Sequence, residues 1–259
     1  MGRSLRNVLA IAGKELRSYF VSPIAYILLG MFAIVFGFFF WNLVGYFVYT
    51  GIESQMRGGS FPMNLNEQVI RPLLSNVSVI GLFLIPMITM RLFAEEKRSG
   101  TMELLATSPV RDFEVIFGKW LAAMLLYGAM LLLTALNFIW LFRYGNPDWK
   151  PLVIAYVGLL LQAGVLLALG EFISTLTRNQ IVAGAITFGV CLLLWVLEWV
   201  SDYGASPVSR VVAYLSVLTH FESFAKGLLS LKDAVFYISA IIFGLFLTSR
   251  SLESLRWRS

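Results

Sequence analysis

Few residues in this chain have the type and spacing to do chemistry, and their arrangement excludes most reactions. A nucleotide-binding loop ending at Gly118-Lys119 would begin with a glycine, but that position is Phe113, and Trp120 stands where a serine or threonine should hold magnesium. Neither ATP hydrolysis nor a bound cofactor is expected on this chain. With His220 as the single histidine, no H-E-x-x-H zinc site can be formed, and no G-x-S-x-G elbow supplies a serine nucleophile. His220 and Glu222 are close in sequence, but positions i and i+2 diverge on a helix. His220 is therefore expected to be structural or interfacial. Cys191, the single cysteine, lies in an apolar run without a partner for a disulfide or thiolate metal site. Glu171 is the one acidic residue deep inside an apolar stretch. There an acidic group costs about 2.5–3.5 kcal/mol on an insertion scale, so it is expected either to snorkel or hydrogen bond, or to line a cavity between subunits. Glu198, near a boundary, reads as interfacial.

The elements that must position these residues are membrane helices. Of 259 residues, 58% are hydrophobic and 14% charged, and mean hydropathy is +0.78, too little charge to cover a water-soluble surface. The net charge of +5 reads as orientation and lipid contact rather than nucleic-acid binding. Spanning the hydrocarbon core takes about 20 apolar residues. Six intervals qualify, charge-free but for Glu171 and Glu198: Ile24 to Tyr49, Leu73 to Met90, Trp120 to Phe142, Leu152 to Ile173, Ile181 to Trp199 and Val235 to Thr248. The last is short, and Asp233 and Arg250 are expected to anchor its ends in the interfaces. Six spans put both termini on one side. That side holds 13 of the 20 Lys and Arg residues, including Lys119 in the second loop, so the termini are expected in the cytoplasm.

Residues 1–20 precede the first span and form a unit distinct from the transmembrane region, 21–259. Leu5, Val8, Leu9, Ala12, Leu16, Tyr19 and Phe20 fall on one arc at helical spacing, while Arg3, Arg6, Lys14 and Arg17 share the other. The pattern predicts a helix lying in the membrane interface, with Ser22 and Pro23 breaking it where the chain enters the bilayer. Small residues offer flat patches for assembly: Gly164 and Ala168 on the fourth span, Gly118, Ala122 and Ala129 on the third.

Two loops carry helix signals. In the cytoplasmic loop between spans two and three, Gly100 is expected to stop the extension of span two. Thr101 to Thr107 then allows two helical turns presenting Met102, Leu104 and Leu105. Ser108 and Pro109 read as an N-cap and first-turn pair, with Asp112 and Glu114 at the favourable end of the helix dipole. So short an apolar helix has no core of its own and is expected to dock on the membrane or in a groove of another protein, where it would act as a lever on the spans it joins. The external stretch from Asp202 to Lys232 is too apolar for a solvated connection. It predicts short helices dipping into the outer leaflet, with Pro207 and Gly227 as breaks. Phe221 and Phe224, three apart, could share one face as a dry constriction or anchor the segment in the interface.

Four stretches resemble permease subunits of the ABC-2 family, particularly the gliding-motility type with an auxiliary partner. They are KELRSYFVSPIAYI from Lys14, NLNEQVIRPLLSNVSVIGLFLIPMITMRLFAEEKRSGTMELLATSPV from Asn64, LTRNQIVAG from Leu176, and HFESFAKGLLSLKDAVFYIS followed by LTSRSLESLRW in the final third. The resemblance implies an all-α integral membrane fold of the type V exporter kind in a bacterial inner membrane. An interfacial helix, six spans, a cytoplasmic coupling segment (95–110) and an external re-entrant segment (206–230) belong to it. It also implies two paired permeases, as copies or paralogues, over a cytosolic ATPase dimer that carries MgATP. Glu95, Glu96, Gly100, Thr101, Glu103, Leu104, Leu105, Ser108 and Pro109 match the coupling segment, and His220, Phe221, Phe224 and Gly227 the external one. Glu171 departs from the apolar residue the family would place there. The expected function is the membrane half of an ATP-driven exporter. An alternative is a mechanotransmission subunit that drives an extracytoplasmic partner without transport, and an intramembrane enzyme is disfavoured by the missing constellations.

Overall fold

The computed structural model describes residues 2–57, 64–102, 110–202 and 214–256, with the side chains of 2, 3, 198–202, 255 and 256 left aside. All regular structure among them is helical: α1 (Gly2–Val21), α2 (Pro23–Met56), α3 (Arg71–Thr89), α4 (Ala94–Ser99), α5 (Asp112–Tyr144), α6 (Trp149–Leu176), α7 (Gln180–Asp202), α8 (Val217–Ala225) and α9 (Leu231–Arg256). A wider π-type turn, Asn66–Ile70, runs directly into α3. Six helices are long and apolar enough to cross a membrane: α2, α3 with its flanking turns, α5, α6, α7 and α9.

The helices outrun the charge-free intervals because backbone hydrogen bonding does not stop where hydrocarbon stops. α2 continues to Met56, where Glu53 pairs with Arg57 one turn on. α5 begins at Asp112, so Lys119 lies two turns inside a helix instead of in a loop. α9 runs from Leu231 to Arg256, which removes the need for a short final span. Asp233 is not an interfacial anchor there: its carboxylate is buried against His220. Ser22 does divide α1 from α2. Its backbone is extended, its Oγ accepts from Ile24 N, and Pro23 opens α2. The N-cap of α5 is Arg111, without a side-chain bond, so the capping role expected of Ser108 moves three residues on; Ser108 and Pro109 themselves lie outside the described residues.

α6 is the centre of the bundle. It packs on α9, α3, α8, α5 and α7, burying Leu159, Ala163, Leu166, Leu167 and Ala168 among others. α1 lies along α5. By contrast α2, α7 and α9 bury only about a fifth of their apolar windows, which leaves Ile34, Trp41, Leu193 and Ile242 on the outside. Gly118, Gly164 and Ala168 make close contacts within the chain. Ile241 of α9 and Trp120 of α5 sit over Gly164, and Gly244 sits on Ala168. Ser78 and Gln162 pair in the core, where Ser78 Oγ donates to Gln162 Oε1 at 2.7 Å.

Candidate functional site

The densest polar constellation lies where α1, α4 and the start of α5 meet. α3 contains Pro86, which cannot donate its backbone bond, and the helix ends three residues later at Thr89. The chain turns and restarts as α4. No side chain of α4's own caps it; instead Ser174 of α6 reaches across, its Oγ accepting from Phe93 N and Ala94 N at 3.0 Å each. Lys97 of α4 donates to the Thr175 carbonyl. Gly100 closes α4 in the left-handed conformation at φ 74°, where a Cβ would be strained.

Lys119 is the hub. Its side chain is only 2% exposed, and its ammonium contacts Glu15 Oε1 of α1 and Glu96 Oε1 of α4, both at 2.9 Å, 5.2 Å from the centre of the Phe93 ring. One buried cation thus holds three elements. Close approach of α1 and α5 makes this possible: at Gly118 a Cβ would lie 2.8 Å from Ile11 Cγ2, so any larger residue would push the helices apart. Asn7 Nδ2 donates to Glu114 Oε2 as a second clasp between the same helices. Tyr19 is buried and donates to the Ile88 carbonyl, fixing α1 to the end of α3; burial, with Glu15 acting the same way, holds its hydroxyl far above the ordinary phenol range. Arg91 forms a two-pronged pair with Glu95 and reaches Ser22 Oγ. Beside the hub opens a cavity of about 400 Å³, with Lys14, Ser18, Arg91, Glu95, Glu96 and Thr101 on its walls.

Of the residues expected here, Glu95 and Glu96 are brought together with Lys119 and Arg91, and Thr101 bonds the Ser99 hydroxyl at the surface. Lys14 lines the cavity, and Arg17 is exposed on α1. Glu103, Leu104, Leu105, Ser108 and Pro109 lie outside the described residues. Lys119 was expected in the loop, and the signal that marks it as buried is its register on α5. Val115, Ile116, Lys119, Ala122, Ala123 and Leu126 follow helical spacing and are all buried, so the lysine stands in register with the core stripe.

Glu171 of α6 neither snorkels nor hydrogen bonds. It is fully buried, and both carboxylate oxygens lack a partner among the described residues.

At the other end of the bundle, Ser216 caps α8 and Gly227, at φ 75°, ends the turn that follows it. His220 contacts Asp233 Oδ1 at 2.6 Å and the Tyr214 carbonyl at 3.0 Å, and stacks on Phe236. Phe221 and Phe224 point into this chain's own core. A Cβ on Gly158 of α6 would lie 2.5 Å from Phe224 Cβ, so the rings are seated on α6 where glycine leaves room. Pro207 lies outside the described residues.

The model of the ABC-2 family transporter protein matches residues 52–221, the larger part of the chain. The chain belongs to the ABC-2 family. With its six apolar helices, it is a multi-pass membrane protein. It is also similar to the probable multidrug ABC transporter permease YbhR of Escherichia coli K12, 26% identical over 174 residues, or 64% of this chain and 44% of the relative. The YbhR permease of Escherichia coli O157:H7 matches to the same extent. The chain thus spans less than half the length of these curated relatives. The family match includes Glu96, Lys119 and Glu171 but stops short of α1 and of Asp233. Glu15, which completes the hub, and the partner of His220 are therefore supplied from outside the matched region.

Proposed function

We propose that this ABC-2 chain is the membrane-spanning permease subunit of an ATP-driven exporter. In this reading a cytosolic ATPase dimer binds MgATP and grips α4 and the segment after it, and the motion passes to α1 and α5 through Lys119. The observation that carries it is the buried ammonium shared by Glu15 and Glu96. Displacing α4 would separate Glu96 from the buried ammonium it shares with Glu15, and breaking a buried ion pair costs several kcal/mol, so α4 moves together with α1 and α5. The positive-inside count supports a cytoplasmic location for this end and for both termini. The outward apolar faces of α2, α7 and α9 suit a second permease, as a copy or a paralogue, with lipid covering the remainder. At the opposite end α8 dips into the outer leaflet, with Phe221 and Phe224 as its anchors on α6. The resemblance over Asn64–Val110 and the final third supports a gliding-motility type of permease, in a bacterial inner membrane and with an extracytoplasmic auxiliary subunit, as the finer form of this reading.

The test is Leu104→Asp combined with Leu105→Asp, which would put two carboxylates into the gripped segment. The ATPase should no longer copurify and ATP-driven activity should be lost, while the permease still folds. Full copurification with coupled activity would refute the docking. Measured translocation in liposomes, as against ATPase activity alone, separates export from mechanotransmission.

A further inference from the structure

The buried imidazole of His220 takes no part in the proposed function, yet each of its ring nitrogens faces an acceptor. Nδ1 lies 2.6 Å from Asp233 Oδ1, and Nε2 lies 3.0 Å from the Tyr214 carbonyl. An ionised carboxylate and a carbonyl offer only lone pairs, and a neutral imidazole has one N–H. Two hydrogen bonds therefore need two protons. In the contact with Asp233 the proton sits on the imidazole, the stronger base of the two, so the ring is a cation held against a carboxylate. Its walls suit a cation, since the Phe236 ring stacks on it with centroids 3.9 Å apart. If one proton is lost, the other stays on Nδ1, because a bond to a carboxylate is stronger than one to a neutral carbonyl. Nε2 is then a bare acceptor facing another acceptor.

We propose that His220 is a proton-operated latch on the stretch leading into α8, closed in acid and opened as pH rises. With both protons in place the ring ties the Tyr214 carbonyl to α9; with one it holds α9 alone. The hinge is Ser216, extended at ψ 120° between the helical pair Tyr214-Leu215 and α8. α8 itself stays seated, because Tyr237 donates to the Val217 carbonyl at 2.7 Å and Phe221 and Phe224 remain buried. Few other titratable or charged groups surround the ring. α9 brings Asp233, Tyr237 and Lys232, whose ammonium lies 5.2 Å from the centre of the Tyr214 ring. Glu222 of α8 pairs with Lys226 at the surface. Glu67, Arg71 and Asp148, where the chain enters α3 and α6, line a cavity that reaches Lys226 but not His220. On α6 Lys150 is exposed and Tyr156 bonds Thr134 of α5, while α7 carries no charge among its described side chains. The inference rests on neither an ATPase nor a second permease, and it holds whichever side of the membrane this end faces.

His220 is the single histidine of the sequence, so the full chain, made with nitrogen-15 histidine and purified in detergent on a tag free of histidine, gives one pair of ring signals. The test follows that pair by NMR across about pH 5–8. Alongside it runs the distance between spin labels at Leu215 and Leu228, both more than half exposed, in a Cys191→Ser background. At the acid end both nitrogens should be protonated and the distance single and narrow. As pH rises Nε2 alone should lose its proton, and the narrow distance should be lost over the same interval. In Asp233→Asn, where the ring has no carboxylate to lean on, both changes should shift to lower pH. His220→Gln cannot titrate, and its distance should not respond to pH; should it fail to fold, the native spectrum and Asp233→Asn still decide. A ring that keeps one charge state across the range, loss of the proton from Nδ1 instead of Nε2, or an equal response to pH in His220→Gln would overturn the proposal. So would a ring that titrates while the distance stays narrow, which would make the pair a fixed brace.

Discussion

At one end of the bundle three elements meet on a single ammonium, that of Lys119, beside a cavity and below a broken helix. At the other, α8 lies on α6 through Phe221 and Phe224, with His220 and Asp233 as its polar contact. The difference concerns how each end responds to force. Packing of rings against a glycine groove is short-ranged and lost over fractions of an ångström, so a displacement of α8 from α6 would break that contact outright. Charge acts over longer distances and holds while geometry shifts, so in the proposed function the α4 end transmits a displacement without letting go. Glu171, fully buried behind the hub and unpartnered in the protein, extends that polar region into the bundle interior.

The largest effect should come from removing the hub. Lys119→Met strands two carboxylates and is expected to cost about 3–5 kcal/mol, read as denaturant unfolding in detergent. If the hub provides coupling more than stability, neutralising all three groups with Glu15→Gln, Lys119→Met and Glu96→Gln should recover most of that loss, because an apolar or neutral set is no worse than an ion pair in the interior. ATP-driven activity should stay low. A triple variant with normal coupling would break the contrast between the two ends.

At the opposite end, Gly158→Val would drive methyl groups into Phe224. Overpacking of this kind is expected to cost about 1–3 kcal/mol, with less displacement of α4 than any hub variant. Hydrogen exchange along α8 and α4 checks both parts: α8 should lose protection and α4 should keep it. The smallest effect belongs to Arg91 and Glu95, a partly exposed pair one turn apart. Glu95→Gln should cost about 0.3–0.5 kcal/mol. A loss comparable to that of Lys119→Met would mean that the junction is held by the whole charge network instead of by one buried cation.

The six spans were legible because charge-free runs near the length of a bilayer are hard to produce otherwise, and the division at Ser22-Pro23 followed from local capping chemistry. Helix ends were less so. Charge marks where hydrocarbon stops, whereas the backbone bonding of α2, α5 and α9 runs on through Met56, from Asp112 and to Arg256. Lys119 and Asp233 were misplaced for the same reason, each taken as a boundary marker when its partner lay elsewhere in the chain. Glu15 is 104 residues before Lys119, and His220 is 13 before Asp233, and no local pattern announces such pairs. The small-residue stripe of Gly164 and Ala168 was visible, but what packs on it depends on tertiary arrangement. Phe221 and Phe224 were found by spacing alone; that they face α6 came from Gly158, far away in sequence.

The central claim, that α4 carries α1 with it, is most directly tested by the distance between spin labels at Arg17 and Arg98, both exposed, in a Cys191→Ser background of the chain bound to the proposed partner ATPase. The account predicts one narrow distance that is unchanged by ATP with vanadate in the otherwise native chain, and a nucleotide-dependent, broadened distance in Lys119→Met. A distance that shifts with nucleotide equally in both proteins would contradict it.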